Sequence, residues 1–404
     1  MRKITLIAFF LAVVSSSVQA QLNCSSASTQ LACIIPNQLH LTQSSSQDLS
    51  FLYEAVSSQV SELPLASPAS GIIFTNDPKL NIPIPSDATL GPILTQRAET
   101  MGYHKYYVAF TYQYFSFNVI DGISLKNIPI FLPLETGTAV SATNNRLDLK
   151  ANQYTIYFTF GLTSHSDISV AVPFLSVSEQ FTTSGVEYNL TKPSSPVTPI
   201  PTQRSAATAS GVGDVTFAAK YWLWRPEHGG LTVGAELRAP TGDAMNFLGT
   251  GTIGFRPYCT YTYGTRFSPH LNLAYEVNAN TVLVTNSLGG SGHLPNRLLF
   301  SAGADWGITR WMTVAVDLFG AQVYNAQRIK LLSAPPVLNQ GVNVTYPTIS
   351  PYTDTYLRGD ASAGLKLKPF SSKNLLVTGN ALMRLNNTGL RASVVPLVGV
   401  SYTF

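Results

Sequence analysis

The stretch LRGDASAGLKLK (Leu357 to Lys368) sorts into two sets at period two. Arg358, Asp360, Ser362, Lys366 and Lys368 fall on one side, and Leu357, Ala361, Ala363, Leu365 and Leu367 on the other. A helix would mix these sets, whereas a strand keeps them on opposite faces. LTVGAELRA repeats the pattern, with Thr232, Glu236 and Arg238 opposite Leu231, Val233, Ala235 and Leu237. In LNLAYEVN, Asn272, Glu276 and Asn278 oppose Leu271, Leu273, Tyr275 and Val277. Twelve such segments follow one another: 104–118, 148–160, 168–182, 213–224, 231–241, 252–263, 270–279, 297–306, 311–322, 357–368, 374–385 and 391–404. Their lengths suit the roughly nine to eleven residues with which a tilted strand crosses a bilayer. Strands of ordinary globular proteins average only about five or six.

The connections alternate short and long. GLTSHSD, RPEHGG, GTRFSP, GITR and KPFSS are short; 119–147, 183–212, 280–296 and 323–356 are long, 242–251 is intermediate and NNTGL is compact. A β-sandwich has no reason to alternate loop length with strand number. An outer-membrane barrel does, because its periplasmic turns are short and its extracellular loops long. All four tryptophans stand beside short turns: Trp222, Trp224, Trp306 and Trp311. With Tyr261, Tyr263 and Phe404 they form an expected girdle at the periplasmic interface. The chain ends LVGVSYTF, with Val398, Val400, Tyr402 and Phe404 on one face. That ending resembles the C-terminal signal read by the barrel assembly machinery, and its strand is expected to face lipid and to pair with the first, since an open edge in lipid leaves backbone groups unsatisfied.

Composition sharpens this. Charged residues make up only 11% of the chain and hydrophobic ones 45%, against a usual charged quarter. Beyond the first twenty residues no apolar run is long enough for a spanning helix. The net charge of +4 includes no basic cluster, so nucleic acid is not an expected partner. MRKITLIAFFLAVVSSSVQA reads as a signal peptide over 1–20, with two early cations, a short apolar run and small Val18 and Ala20 before the cut. Export allows Cys24 and Cys33 to close a disulfide, while Cys259 reads as an apolar filler within a strand.

Residues 21–100 differ from the rest. Leu49, Phe51, Leu52, Val56, Val60 and Leu63 follow helical spacing, and a proline-rich extended stretch comes after them. This segment is either a periplasmic tail or a plug in the lumen. Its apolar patches at Ile72 to Phe74 and Ile82 to Ile84 would need cover.

Motifs for other chemistry fare poorly. GTGTIG (Gly249 to Gly254) matches the dinucleotide fingerprint, but FRPYCTYTY after it is strand-like, and phosphate binding needs a helix N-terminus there. Ser164, His165, Ser166 and Asp167 lie together in a tight turn, where such residues serve the backbone. No enzyme, cofactor or metal site is expected. The face predicted to line the lumen carries Asp214, Lys220, Glu236, Arg238, Arg256, Glu276, Asp305, Asp317, Arg358, Asp360, Lys366, Lys368 and Arg384. The mixed signs suit crossed ion pairs in a narrow barrel or contacts to a solute, rather than a single-sign selectivity ring.

GVGDVTFAAKYWL, VGAELRAPTGD and LGTGTIGFRPY together resemble the outer-membrane family associated with meta-cleavage phenol-degradation pathways. The resemblance rests on Gly211, Gly213, Asp214, Lys220 and Tyr221, on Pro240 through Asp243, on Gly249 and Gly251, and on Leu273, Ala274 and Tyr275. It implies a transporter of aromatic or other hydrophobic compounds, distantly akin to the long-chain fatty-acid channel group. Asp214 is expected to cap the entry to its strand, and Pro240 to Asp243 to turn a strand end outward.

The expectation is an all-β, antiparallel up-and-down transmembrane barrel of twelve strands (fourteen as the alternative) over 101–404, in the bacterial outer membrane. It is expected to pass small hydrophobic or aromatic solutes by diffusion, or else to be a non-conducting surface-binding barrel. Its partners are then lipid, the assembly machinery and the solute.

Overall fold

The computed structural model describes residues 24, 29–38, 43–60, 63, 74–76, 83–85, 89–133, 138–226, 228–285, 291–370 and 374–404. The signal peptide and most of the two apolar patches lie outside these residues.

Twelve antiparallel strands close into one barrel. They are β1 (Tyr106–Ile120), β2 (Ala139–Gly161), β3 (Ser166–Asn189), β4 (Thr216–Trp224), β5 (Gly229–Arg238) and β6 (Gly254–Tyr263). β7 (Phe267–Asn278), β8 (Arg297–Thr309), β9 (Met312–Ser333), β10 (Pro347–Leu367), β11 (Leu375–Arg384) and β12 (Val394–Thr403) complete it. Each pairs with its sequence neighbour, and β12 pairs with β1, where Val400 faces Phe110 and Thr403 faces Tyr107. No edge is left in the wall, and the number is twelve rather than fourteen.

Burial alternates along the strands. Along β12 and the residue after it, Val398, Val400 and Phe404 are exposed, while Leu397, Ser401 and Thr403 are buried. The exposed row around the wall includes Phe110, Phe158, Ile168, Leu223, Leu271, Val316 and Leu365. An apolar exterior on a barrel whose interior carries ion pairs inverts the water-soluble arrangement; it is what a bilayer-spanning barrel requires. Among the described residues no helix is long and apolar enough to cross a membrane. Trp224, Trp306, Trp311, Tyr263 and Phe404 are exposed at the periplasmic rim, but Trp222 is not part of this girdle. Trp222 keeps the inward parity of Lys220, with Arg225 4.5 Å over its ring. The β4–β5 register shifts between Trp222 and Trp224, and it is Trp224 that this turns outward.

The long connections are largely not loops. β2 and β3 run for 23 and 24 residues, and β9 and β10 for 22 and 21. An extra strand, Thr198–Val212, pairs with the upper part of β3. Along β3 the outward side chains change from Ile168, Val170, Val172 and Phe174 to Ser176, Ser178, Gln180 and Thr182. The bilayer therefore ends near Phe174, and the hairpin continues into water above it. Polar outward positions obscured the upper ends of these strands in the sequence, because the apolar half of the alternation vanished with the lipid.

Two helices occupy the upper part of the barrel, α1 (Ile34–Gln38) and α2 (Gln43–Val60). Leu52, Val56 and Val60 recur every fourth residue and are fully buried. With Leu31 and Ile35 they join one core with Phe115, Leu147, Phe181, Phe247 and Leu390 of the barrel and its loops. A disulfide joins Cys24 to Cys33 at the start of α1.

Candidate functional site: the barrel interior

Residues 89–101 run through the periplasmic half of the lumen without regular structure. Leu90, Ile93, Thr95, Arg97, Ala98 and Met101 are all at least 95% buried. A buried strap outside any ladder must find partners for each peptide group among side chains. The wall supplies them. Lys366 Nζ donates to the carbonyls of Leu90 (3.3 Å) and Pro92 (2.5 Å). Lys220 Nζ donates to the carbonyls of Arg97 (3.4 Å) and Glu99 (2.6 Å), and sits 3.7 Å from Asp167. The amides of Leu90, Ala98 and Met101 donate to Thr313, Thr262 and Asp167.

Ion pairs add to this. The Arg97 guanidinium grips Asp305 with Nε at 3.2 Å and Nη2 at 2.7 Å. Thr95 Oγ1 donates to Asp317 at 2.9 Å and lies 2.7 Å from His270 Nε2, itself 2.8 Å from the same carboxylate. His270, Asp305 and Asp317 are buried to within 1%. Asp305, Asp317, Lys220 and Lys366 came from the alternation of their strands. Asp167 reads in the sequence as part of a tight turn, and His270 is absent from the predicted lumen face although it shares the parity of Asn272 and Glu276. Arg97 lies in a segment that has no periodicity to read.

Above the strap is a cavity of about 280 Å³. Val60 and Leu63 border it from the helical side and Leu94 to Gln96 from the strap. One part of its wall is apolar and aromatic, with Tyr157, Tyr258, Leu175, Leu299 and Phe319. The other is charged. Glu276 takes Arg238 at 2.9 Å and Arg297 at 2.7 Å, and Arg256 pairs with Glu236. Asp360 is held by both Nη atoms of Arg391, while Arg358 Nε approaches it at 3.3 Å. Arg384 lies off the cavity and donates to Asn118 at 2.8 Å. Lys368 stands just past the end of β10, its amide donating to the Trp311 carbonyl.

Asp214 stands in the bend between the extra strand and β4, and it organises three loops rather than capping its own strand. Its carboxylate accepts from Gly242 N (3.0 Å), Thr250 N (2.7 Å) and Thr250 Oγ1 (2.6 Å). Thr241 Oγ1 donates to the Gly213 carbonyl and accepts from Val215 N. A Cβ on Gly249 would sit 2.3 Å from Asp214 Oδ1, so only glycine fits. GVGD, PTGD and LGTG thus form one clasp. Asp243 extends it by capping a turn of 3-10 helix and holding Asn246, whose side-chain oxygen Oδ1 accepts from Leu31 N at 3.2 Å. Thr250 also tethers Thr281, and Leu283 accepts from Ser57 of α2. These short motifs fasten the helices inside the barrel to its extracellular loops.

The GTGTIG stretch opens no helix, since β6 starts at Gly254. Ser164 Oγ lies 2.8 Å from His165 Nδ1 in an exposed turn. Asp167 is instead buried on Lys220 and Met101 N, so no triad is assembled. Cys259 is a free thiol, half-buried on β6. Among the described residues no three His, Cys, Asp or Glu side chains are grouped to hold a metal.

No curated protein matches the chain in sequence. Among solved structures, the COG4313 outer membrane channel from Pseudomonas putida F1 is 13% identical, with a TM-score of 0.44 over 76% of this chain and 98% of its own. The NanC porin is 8% identical, with a TM-score of 0.39 over 74% of this chain and 98% of its own. A FadL homologue from Pseudomonas aeruginosa is 10% identical, with a TM-score of 0.32 over 83% and 96%. The clasp residues fall within the stretch 133–304, which matches the model of the family described as "Putative MetA-pathway of phenol degradation", the family their motifs resemble.

Proposed function

We propose that the protein is an outer-membrane channel for small hydrophobic or aromatic compounds, which pass through the barrel interior. The observation that carries this reading is the cavity of about 280 Å³ enclosed by the wall, the end of α2 and the strap. A barrel kept only as a scaffold would gain stability by filling such a space, since a void forfeits contacts along its lining. The match of residues 133–304 to the phenol-degradation family supports the same solute class. Segment 21–100 acts as the plug, and passage requires the strap to shift from its lysine and threonine partners. Uptake of phenol and benzyl alcohol into liposomes carrying the mature protein is the test. A rate no greater than in empty vesicles overturns the channel.

The hydrogen bonding of 89–101 favours a second reading, a barrel that never conducts. Planar-bilayer recordings separate the two. Current from the mature chain, or from a chain lacking 21–100, supports a channel; silence in both supports the non-conducting barrel.

A further inference from the structure

The charges around the cavity are not evenly matched. On one side Arg238, Arg256 and Arg297 share Glu236, Glu276 and Asp214. On the other, Asp360 is the carboxylate between Arg358 and Arg391, and Arg384 is its cross-strand partner. Arg391 already engages both Asp360 oxygens, and Arg384 turns to the neutral Asn118. Arg358 is left with the weaker claim: its Nε is buried without a hydrogen-bond partner among the described residues. About a quarter of its side chain, 24%, stays accessible at the cavity wall.

Beside it the surface is apolar. Phe319 and Ala321 lie on β9 directly across from Asp360 and Arg358 and line the same cavity. A guanidinium offers two parallel N–H groups that fit a carboxylate, and in a site walled from water such a pair is stronger than on a surface. An aromatic ring beside it gains by burial against Phe319 and Ala321.

We propose that the cavity is a binding chamber for a small aromatic carboxylate, with the anion on Arg358 and the ring on the apolar wall that begins at Phe319. The inference names the solute class of the channel proposed above and rests on that reading for transport, but not for binding.

The test uses the full mature protein in detergent, with benzoate, benzyl alcohol and benzylammonium as single-ring probes of similar size in equilibrium dialysis. Benzoate is expected to bind at least tenfold more tightly than benzyl alcohol, and benzylammonium more weakly still. R358Q is expected to lower benzoate affinity tenfold or more and leave benzyl alcohol within twofold; R358K is expected to recover part of the loss. The heat-dependent gel shift of a closed barrel confirms that each variant is folded. Equal affinity for benzoate and benzyl alcohol overturns the proposal, as does benzoate binding unchanged in folded R358Q. If R358Q fails to fold, the benzoate-to-benzyl alcohol ratio of the wild type and of R358K decides the matter. Liposome uptake separates the two readings: benzyl alcohol entry without a benzoate preference leaves the channel and removes the chamber. Benzoate binding without uptake of either probe does the reverse.

Discussion

Asp214 Oδ2 accepts the backbone N–H of Thr250 at 2.7 Å, joining the bend before β4 to the loop before β6. The same carboxylate takes Thr250 Oγ1 and Gly242 N, and Arg238 lies 3.8 Å away. Hydrogen bonds to a charged group contribute about 1.5–3 kcal/mol each, and stranding a buried donor costs a further ~1–3 kcal/mol. Asp214→Ala is expected to destabilise the extracellular loops by several kcal/mol, seen as faster amide exchange at 241–251 and a lower melting temperature. Gly249→Ala should act in the same direction, because its Cβ would meet Asp214 at 2.3 Å. Unchanged exchange in both variants would show that the clasp holds nothing.

Glu179 makes a prediction about pH. It lies on β3 above Phe174, outside the bilayer, and is 1% exposed with neither carboxylate oxygen hydrogen-bonded among the described residues. Burial pushes its carboxyl up to about 8. The folded state therefore keeps a proton that the unfolded chain releases near its ordinary value of 4.5. This contribution to stability is fully present below the unfolded value, falls by up to ~1.4 kcal/mol per pH unit as pH rises, and levels off near the folded one. Glu179→Gln is expected to flatten the melting temperature between pH 5 and about 8. An equally steep fall in the variant would place the proton elsewhere.

Arg97 and Asp305 are both buried and doubly bonded. Removing one partner of such a pair costs about 3–5 kcal/mol, because the other charge stays behind unpaired. In Arg97→Ala the loss falls on the strap, while the wall keeps its ladder. Residues 89–101 should become open to protease in folded barrels, and bilayer recordings should show more frequent openings. Protection equal to the wild type would mean that Lys220 and Lys366 suffice to hold the strap.

Phe404 N donates to the Tyr106 carbonyl at 2.8 Å, and its ring meets Tyr402 edge-on at 4.6 Å. Deleting Phe404 leaves the wall almost intact yet removes the last apolar side chain of the expected assembly signal. Less heat-modifiable barrel in the outer-membrane fraction is the expected outcome, with a normal melting temperature for what does assemble. A normal yield would show that Val398, Val400 and Tyr402 are enough.

The wall was legible because lipid imposes a strict rule on every second residue. Leu357 to Lys368 and Leu271 to Asn278 followed it residue by residue, and the seam between β1 and β12 followed from closure. Where that rule stops, the reading soon stopped too: β3 is followed only as far as residue 182, and its last residues, 183–189, read as loop together with the extra strand Thr198–Val212. The site was legible only in part. Lys220, Asp305, Asp317 and Lys366 stood on one strand face, but what they bind is an aperiodic strap whose only signature is the carbonyls it presents. Trp222 shares the parity of Lys220, so its inward side was readable from spacing; the outward turn of Trp224 comes from a single β-bulge, which no spacing announces. The motif glycines pointed to a family before their physical reason was visible, namely the close approach of Gly249 to Asp214.

Between strap and wall the chain turns through Gly102 and His104, whose amide bonds to the Gly161 carbonyl at 2.9 Å. This turn is a very short leash. A strap that lets go of the lumen stays within a few residues of its seat, at an effective concentration that no free ligand of the periplasm reaches. Release and return are therefore first-order events, independent of how many copies the membrane holds. The lifetime of any open state is written into one molecule.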